Sequence, residues 1–175
     1  MTERTRARVS VLMGSDSDLP VMAEAIKVLE QLEVPYEMHV TSAHRSPERT
    51  TRIVATAPDR GVAVFIVGAG AAAHLAGVVA AHSTRPVLGV PLASSDLNGL
   101  DALLATVQMP AGVPVGTLAI GKAGAANAGW LAASILATAD PGLAAKLATE
   151  RARMADAIEA KSERAKGKLR SLVGD

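Results

Sequence analysis

A three-layer α/β sandwich with a central parallel sheet is predicted by three features of the sequence. Short, nearly continuous apolar runs recur along it, as expected of strands covered on both faces. Between them, apolar residues fall at three- and four-residue steps, the period of a helix packed on one side. Glycine and small polar residues collect just after the apolar runs, where strands of such a sheet pass into helices.

Residues 9–13, Val-Ser-Val-Leu-Met, read as the first strand. Pro20 fits the first turn of a helix, where its missing amide hydrogen is no loss, and Met22, Ala25, Ile26, Leu29 and Leu32 mark its buried stripe. Tyr36, Met38 and Val40 alternate on a second strand. Ser46 and Pro47 read as cap and first residue of a helix reaching about Ala57. Residues 62–67 form a third strand, followed by Gly68-Ala69-Gly70 and a small-residue helix over 71–81. A fourth strand spans 87–92, a short helix 100–108, and a fifth strand 115–120. Gly121 to Asn127 opens an alanine-rich helix. Asp140-Pro141-Gly142 reads as a break before a long charged helix over 143–169. Residues 1–8 are thus expected to be a flexible tail, 9–142 the α/β domain, and 143–175 a C-terminal helical extension on its own or a neighbouring subunit.

Composition narrows the chemistry. The 175 residues include 18 Lys and Arg against 17 Asp and Glu, a formal charge of +1. That is no electrostatic footprint for nucleic acid; Arg4, Arg6 and Arg8 read as a solvated tail. With no cysteine, disulfides and thiol catalysis are excluded and a zinc site is disfavoured. No run is long enough to span a membrane and no signal-peptide pattern opens the sequence, so a cytoplasmic protein is expected. One Phe, one Tyr and one Trp leave Ala, Val and Leu to fill the core. Alanine-rich surfaces also suggest cover by other subunits, and Trp130 reads as a core or subunit-contact residue.

Right-handed crossovers bring the carboxyl ends of parallel strands to one edge, where open α/β sheets bind ligands. The loops at 14–18, 41–46, 68–74, 92–96 and 121–127 share it. In Gly14-Ser15-Asp16-Ser17-Asp18, serine hydroxyls and helix amides can cradle an anion, or the loop is simply a turn and helix cap. Both readings stay open, because Asp16 and Asp18 repel phosphate unless they point away or accept from amides. Neither a Walker loop nor a GxGxxG pattern is present. His44 can move a proton near neutrality and Arg45 can grip a phosphate or carboxylate; the alternative for His44 is a loop histidine bonded across the edge. His74, at the start of the helix after Gly70, can approach the same pocket or organise backbone or intersubunit contacts, the second being the preferred reading, and His39 and His82 read as structural. No HExxH spacing or calcium loop occurs, so no metal or other cofactor is expected.

Several ordered segments carry a resemblance: Gly14-Ser15-Asp16-Ser17-Asp18, Ser42-Ala43-His44-Arg45, Gly68-Ala69-Gly70 with Ala73-His74-Leu75, Asp101-Ala102-Leu103-Leu104 into Val107-Gln108-Met109-Pro110, and Gly112-Val113-Pro114-Val115. Ala119-Ile120-Gly121 with Ala123-Gly124-Ala125-Ala126-Asn127-Ala128 completes the set. Over about residues 9–136 the chain resembles the N5-carboxyaminoimidazole ribonucleotide mutase family. The resemblance implies a flavodoxin-like sandwich assembled as a homo-octamer. It implies an aminoimidazole ribonucleotide-type substrate, isomerised by loss and recapture of carbon dioxide without ATP or metal. By motif position it implies that His44 is the proton shuttle and that Ser15, Asp18, Ser42 and Arg45 hold the ribose phosphate. Gly70, Ala71, His74, Ser94 and Leu97, in loops 70–74 and 93–97, would close around the imidazole and migrating carboxylate. Ala71 stands where the family often has glycine and Ala76 where it often has proline. Direct carboxylation of aminoimidazole ribonucleotide, or a nonenzymatic nucleotide-binding module, are the alternatives.

Overall fold

The computed structural model describes residues 6–173, so Arg4 of the expected tail lies outside the described residues. Five strands, β1 (Val9–Met13), β2 (Tyr36–Val40), β3 (Val64–Gly70), β4 (Val87–Leu92) and β5 (Gly116–Thr117), form one parallel sheet in the order β2-β1-β3-β4-β5. This is the flavodoxin-like doubly wound order, with its switch point between β1 and β3. Every residue of β1 and β4 is buried, as the continuous apolar runs require. Edge strand β2 instead alternates partial burial and exposure.

Helices α1 (Leu19–Gln31) and α5 (Lys122–Ala137) approach each other closely. A Cβ on Gly129 would lie 2.8 Å from the Ala25 carbonyl oxygen. Helices α2 (Pro47–Ala55), α3 (Leu75–Ala81) and α4 (Leu100–Val107) belong with the other face of the sheet. There Ile53, Val54, Leu75, Val79 and Ala102 cluster with Leu12, Phe65, Val67 and Val87. Phe65 is the one large aromatic in this core; elsewhere aliphatic and alanine side chains fill it. Trp130 is only half-buried.

Two compact units divide at Leu136 and Ala137. The second contains α6 (Pro141–Val173), whose described side chains are mostly exposed. Its start corrects the expected break at 140–142. Proline is accepted in a first helical turn, and Asp140 Oδ1 accepts the Leu143 amide at 3.0 Å.

Other boundaries also differ from the sequence reading. Arg8 is not tail: its amide donates to the Pro35 carbonyl and its own carbonyl accepts from the Ala63 amide, both at 2.8 Å. Helix α2 stops at Ala55 rather than Ala57. Strand β3 runs through Gly70, and α3 begins at Leu75 rather than Ala71. Ala71 has φ 49°, a left-handed conformation that costs a non-glycine residue about 1 kcal/mol and prevents a helix from starting there. Strand β5 is reduced to two residues because its neighbour carries Pro91. The Pro91 carbonyl accepts from Gly121 at 2.9 Å, but proline has no amide hydrogen with which to reciprocate.

On the outer edge, Arg60 grips Glu37 through two bonds of 2.8 Å, Nε to Oε2 and Nη2 to Oε1, and His39 Nε2 lies 3.2 Å from Oε1. Burial alone would raise the Glu37 carboxyl. Arg60, with lesser help from the nearby Ser10 hydroxyl and His39, outweighs it and holds the group below its usual value. His39 is accordingly part of a structural cluster.

Candidate active site

At the carboxyl edge, beside the switch point, a cavity of about 340 Å³ opens between the loops after β1, β2, β3 and β4. Gly14, Ser15, Ser17 and Asp18 line one side, and Ser42, Ala43, His44 and Arg45 another. Ala69, Gly70, Ala72, Leu75 and Ser94 complete it. The volume lies within the range of small-molecule sites. The loop at 121–127, expected to share the edge, does not line the cavity.

In the first loop, both the capping reading and the amide-acceptor reading of Asp18 hold. Ser15 Oγ accepts from the Ser17 amide at 3.3 Å and from the Ser17 hydroxyl at 2.8 Å, while Asp18 Oδ2 accepts from the Ser15 amide at 3.0 Å. Desolvation pushes the Asp18 carboxyl up, against the Ser15 and Gly14 amides that favour its charge. The carboxylate is thereby turned onto the backbone, and the hydroxyls remain at the cavity wall.

The second loop is stapled by hydroxyls. Ser46 occupies the cap position of α2 but does not cap it. Its Oγ instead accepts from the Ser42 amide at 3.0 Å and donates to the Ser42 carbonyl at 3.2 Å. Thr50 adds a buried 2.8 Å bond to Thr41. Ser42 Oγ accepts from the amides of His44 at 3.3 Å and Arg45 at 3.1 Å, which leaves its own proton available to an anion. The Arg45 side chain is exposed, and no carboxylate pairs with it among the described residues.

His44 does not stand alone. Its Nε2 lies 2.8 Å from Nδ1 of His74, the rings edge to face with centroids 5.0 Å apart. One nitrogen donates and the other accepts, so the contact accommodates at most one imidazolium. His74 sits immediately before α3, in the turn begun by left-handed Ala71, so backbone strain and ring contact belong to one short segment.

Of the residues singled out from sequence, Ser15, Asp18, Ser42, His44, Arg45, Gly70 and Ser94 line the cavity. His74 touches it through His44, while Ala71 and the 61% exposed Leu97 do not line it. Ala43, Ala69 and Ala72 lie within loops placed at the edge but were not singled out, and Leu75 lies just beyond them. They are small or apolar, and only their place beside the site motifs could have signalled them. Among the described residues no group of three His, Asp or Glu is placed to hold a metal ion, and no helix is long and apolar enough to cross a membrane.

Comparison with known proteins identifies the family. The N5-carboxyaminoimidazole ribonucleotide mutase of Mycobacterium tuberculosis is 51% identical over 167 residues, covering 94% of this chain and 95% of that one. The protein of the same name from Bacillus subtilis is 55% identical over 139 residues, 79% of this chain and 86% of its own. In three dimensions, the crystal structure of Treponema denticola PurE superposes with a TM-score of 0.80 at 25% identity, over 89% of this chain and 96% of that one. Residues 8–157 match the family model described as AIR carboxylase. A match over that span, with half the residues shared with full-length relatives, establishes that the chain belongs to the AIR carboxylase family.

Proposed function

We propose that this cavity converts N5-carboxyaminoimidazole ribonucleotide reversibly to 4-carboxyaminoimidazole ribonucleotide, as an isomerase of purine biosynthesis. The observation that carries the reading is the convergence of His44, the Ser42–Arg45 anion grip and an alanine-lined wall in one cavity. The names of the relatives at about half identity favour mutase chemistry over direct carboxylation.

Ser15, Ser42 and Arg45 hold the phosphate, with Asp18 towards the ribose hydroxyls. Protonated His44 gives its proton to the exocyclic nitrogen as the N–carboxylate bond breaks, and the bonding pair returns to nitrogen. Carbon dioxide is released against Ala69, Ala72 and Leu75, an apolar wall that offers it no hydrogen bond and holds it near the ring. C4 of the electron-rich imidazole attacks it and forms the new carbon–carbon bond. His44, now neutral, removes the C4 proton and is restored. Atoms balance without ATP, metal or redox partner.

The same reading includes a cytoplasmic homo-oligomer, an octamer. Leu100, Leu104 and Val107 support it: they recur at helical spacing along α4 and remain 52%, 47% and 47% exposed.

Enzyme supplied with substrate labelled on its carbamate carbon, in excess unlabelled bicarbonate, should form labelled 4-carboxyaminoimidazole ribonucleotide. Product arising only from aminoimidazole ribonucleotide and free carbon dioxide would reassign the protein to direct carboxylation. No turnover in either assay would leave a nucleotide-binding module. Arg45→Ala should raise the Kd for the nucleotide by about tenfold or more, the loss of a charge-assisted phosphate contact. It should barely change the Kd for the dephosphorylated nucleoside. Titration calorimetry with both ligands checks this, and equal losses for the two would remove Arg45 from the phosphate site.

A further inference from the structure

Asp101 lies outside the cavity, in the first turn of α4, yet it is tied to the loop that carries Ser94. The Ser95 hydroxyl donates to Asp101 Oδ2 at 2.7 Å, and the same Ser95 oxygen accepts from the Leu97 amide at 3.2 Å. Further backbone bonds, Asn98 to the Ser95 carbonyl at 3.1 Å and Leu100 to the Leu97 carbonyl at 3.0 Å, wind the segment tightly. Asn98 and Gly99 are both left-handed, at φ 51° and 87°. A Cβ on Gly99 would lie 3.3 Å from the Ala93 backbone, so the two ends of the loop are pressed together. Ser95 thus has its donor and acceptor capacity directed inward and leaves Ser94 as the hydroxyl facing the cavity.

The position of Ser94 is sharply limited. A Cβ on Gly70 would fall 1.9 Å from Ser94 Oγ and 2.7 Å from Ser94 Cβ, so the serine rests on the bare α-carbon at the end of β3. A shift of this loop therefore changes the wall on the side of the cavity away from Arg45. The Ser95 hydroxyl, followed by the Ala102 and Asp101 amides at the start of α4, holds the Asp101 carboxyl below its usual value, so it meets Ser95 as a charged acceptor.

We propose that Asp101 is a positioning residue: through Ser95 it holds the 93–99 loop so that Ser94 meets the carboxylate-bearing end of the substrate. The proposal rests on the isomerase reading for its substrate, not for its geometry. Asp101→Ala and Ser95→Ala should each lower kcat by about 10- to 100-fold, the penalty of a wall displaced by a fraction of an ångström to an ångström. KM should change less than about threefold, because the phosphate grip lies on other loops. Asp101→Asn, whose side-chain oxygen can still accept from Ser95, should recover most of kcat, and the double alanine variant should be no worse than either single one.

Amide hydrogen exchange over residues 93–99 supplies a readout that needs no turnover: both alanine variants should exchange faster there. Ser95→Ala, a small change, keeps the test decisive if Asp101→Ala fails to fold. Faster exchange with unaltered kcat would reduce Asp101 to a fold constraint and overturn the proposal, as would unaltered exchange in both variants. Wild-type enzyme inert in the carbamate-label assay would sink the isomerase reading instead. The exchange data would then decide by themselves whether Asp101 holds the loop.

Discussion

His44→Asn should lose at least about 1,000-fold in kcat, within the range attributed to a positioned general acid and base, while still binding the nucleotide. Asparagine reaches only the Nδ1 position of the imidazole and gives up the Nε2 contact to His74, but the 41–46 loop should keep its shape. That loop depends on Ser42, Ser46 and Thr50, not on the imidazole. The phosphate grip therefore survives, and what disappears is the group that can both give and take a proton. Single-turnover kinetics beside equilibrium binding separate the two effects. Comparable turnover in the variant would remove His44 from the chemistry. Loss of binding in parallel with turnover would make it a binding residue rather than a shuttle.

Gly124→Ala should destabilise the protein by about 3 kcal/mol, the upper end of overpacking penalties. The added Cβ would lie 1.6 Å from the carbonyl oxygen of Ala119 and 2.5 Å from its carbonyl carbon. Both are backbone atoms that no rotamer can move. Helix propensity works in the opposite direction by about 1 kcal/mol, too little to offset the clash. Gly167→Ala, in α6 with nothing within 4 Å of the new methyl group, serves as the matched control and should show only the propensity gain. Urea denaturation at constant m-value measures both. An unchanged or higher midpoint for Gly124→Ala would mean that α5 can move away from Ala119 without loss.

The element order was legible because parallel strands and their covering helices write different periods into the chain. Val9 to Met13 and Val87 to Leu92 are buried along their full length, and a continuous apolar run is the direct result. Pro20 and Pro47 marked first helical turns for an equally local reason. Boundaries were misread where a distant partner or a backbone torsion decides them. Strand β5 ends early because Pro91, on another strand, lacks a donor. Helix α3 starts late because Ala71 is left-handed, which its residue type does not announce; only the glycine that the family often has at this position hinted at it. Ser46 resembled a cap, yet its hydroxyl is taken by Ser42, an alternative that spacing alone does not rank.

Residue chemistry and strand order were enough to bring Ser15, Asp18, Ser42, His44 and Arg45 to one edge, because each sits in a loop whose direction the crossover rule determines. By itself the sequence thus determined the sandwich, the edge and the polar half of the cavity. Only the tertiary structure decided the rest: the His44–His74 contact across thirty residues, the apolar wall of Ala69, Ala72 and Leu75, and the seating of Ser94 on Gly70. The physical reason is one of range. Periodicity and turn chemistry act over a few neighbouring residues. A ring's hydrogen-bond partner, or the side of a cavity that an alanine faces, depends on the packing of segments far apart in the chain.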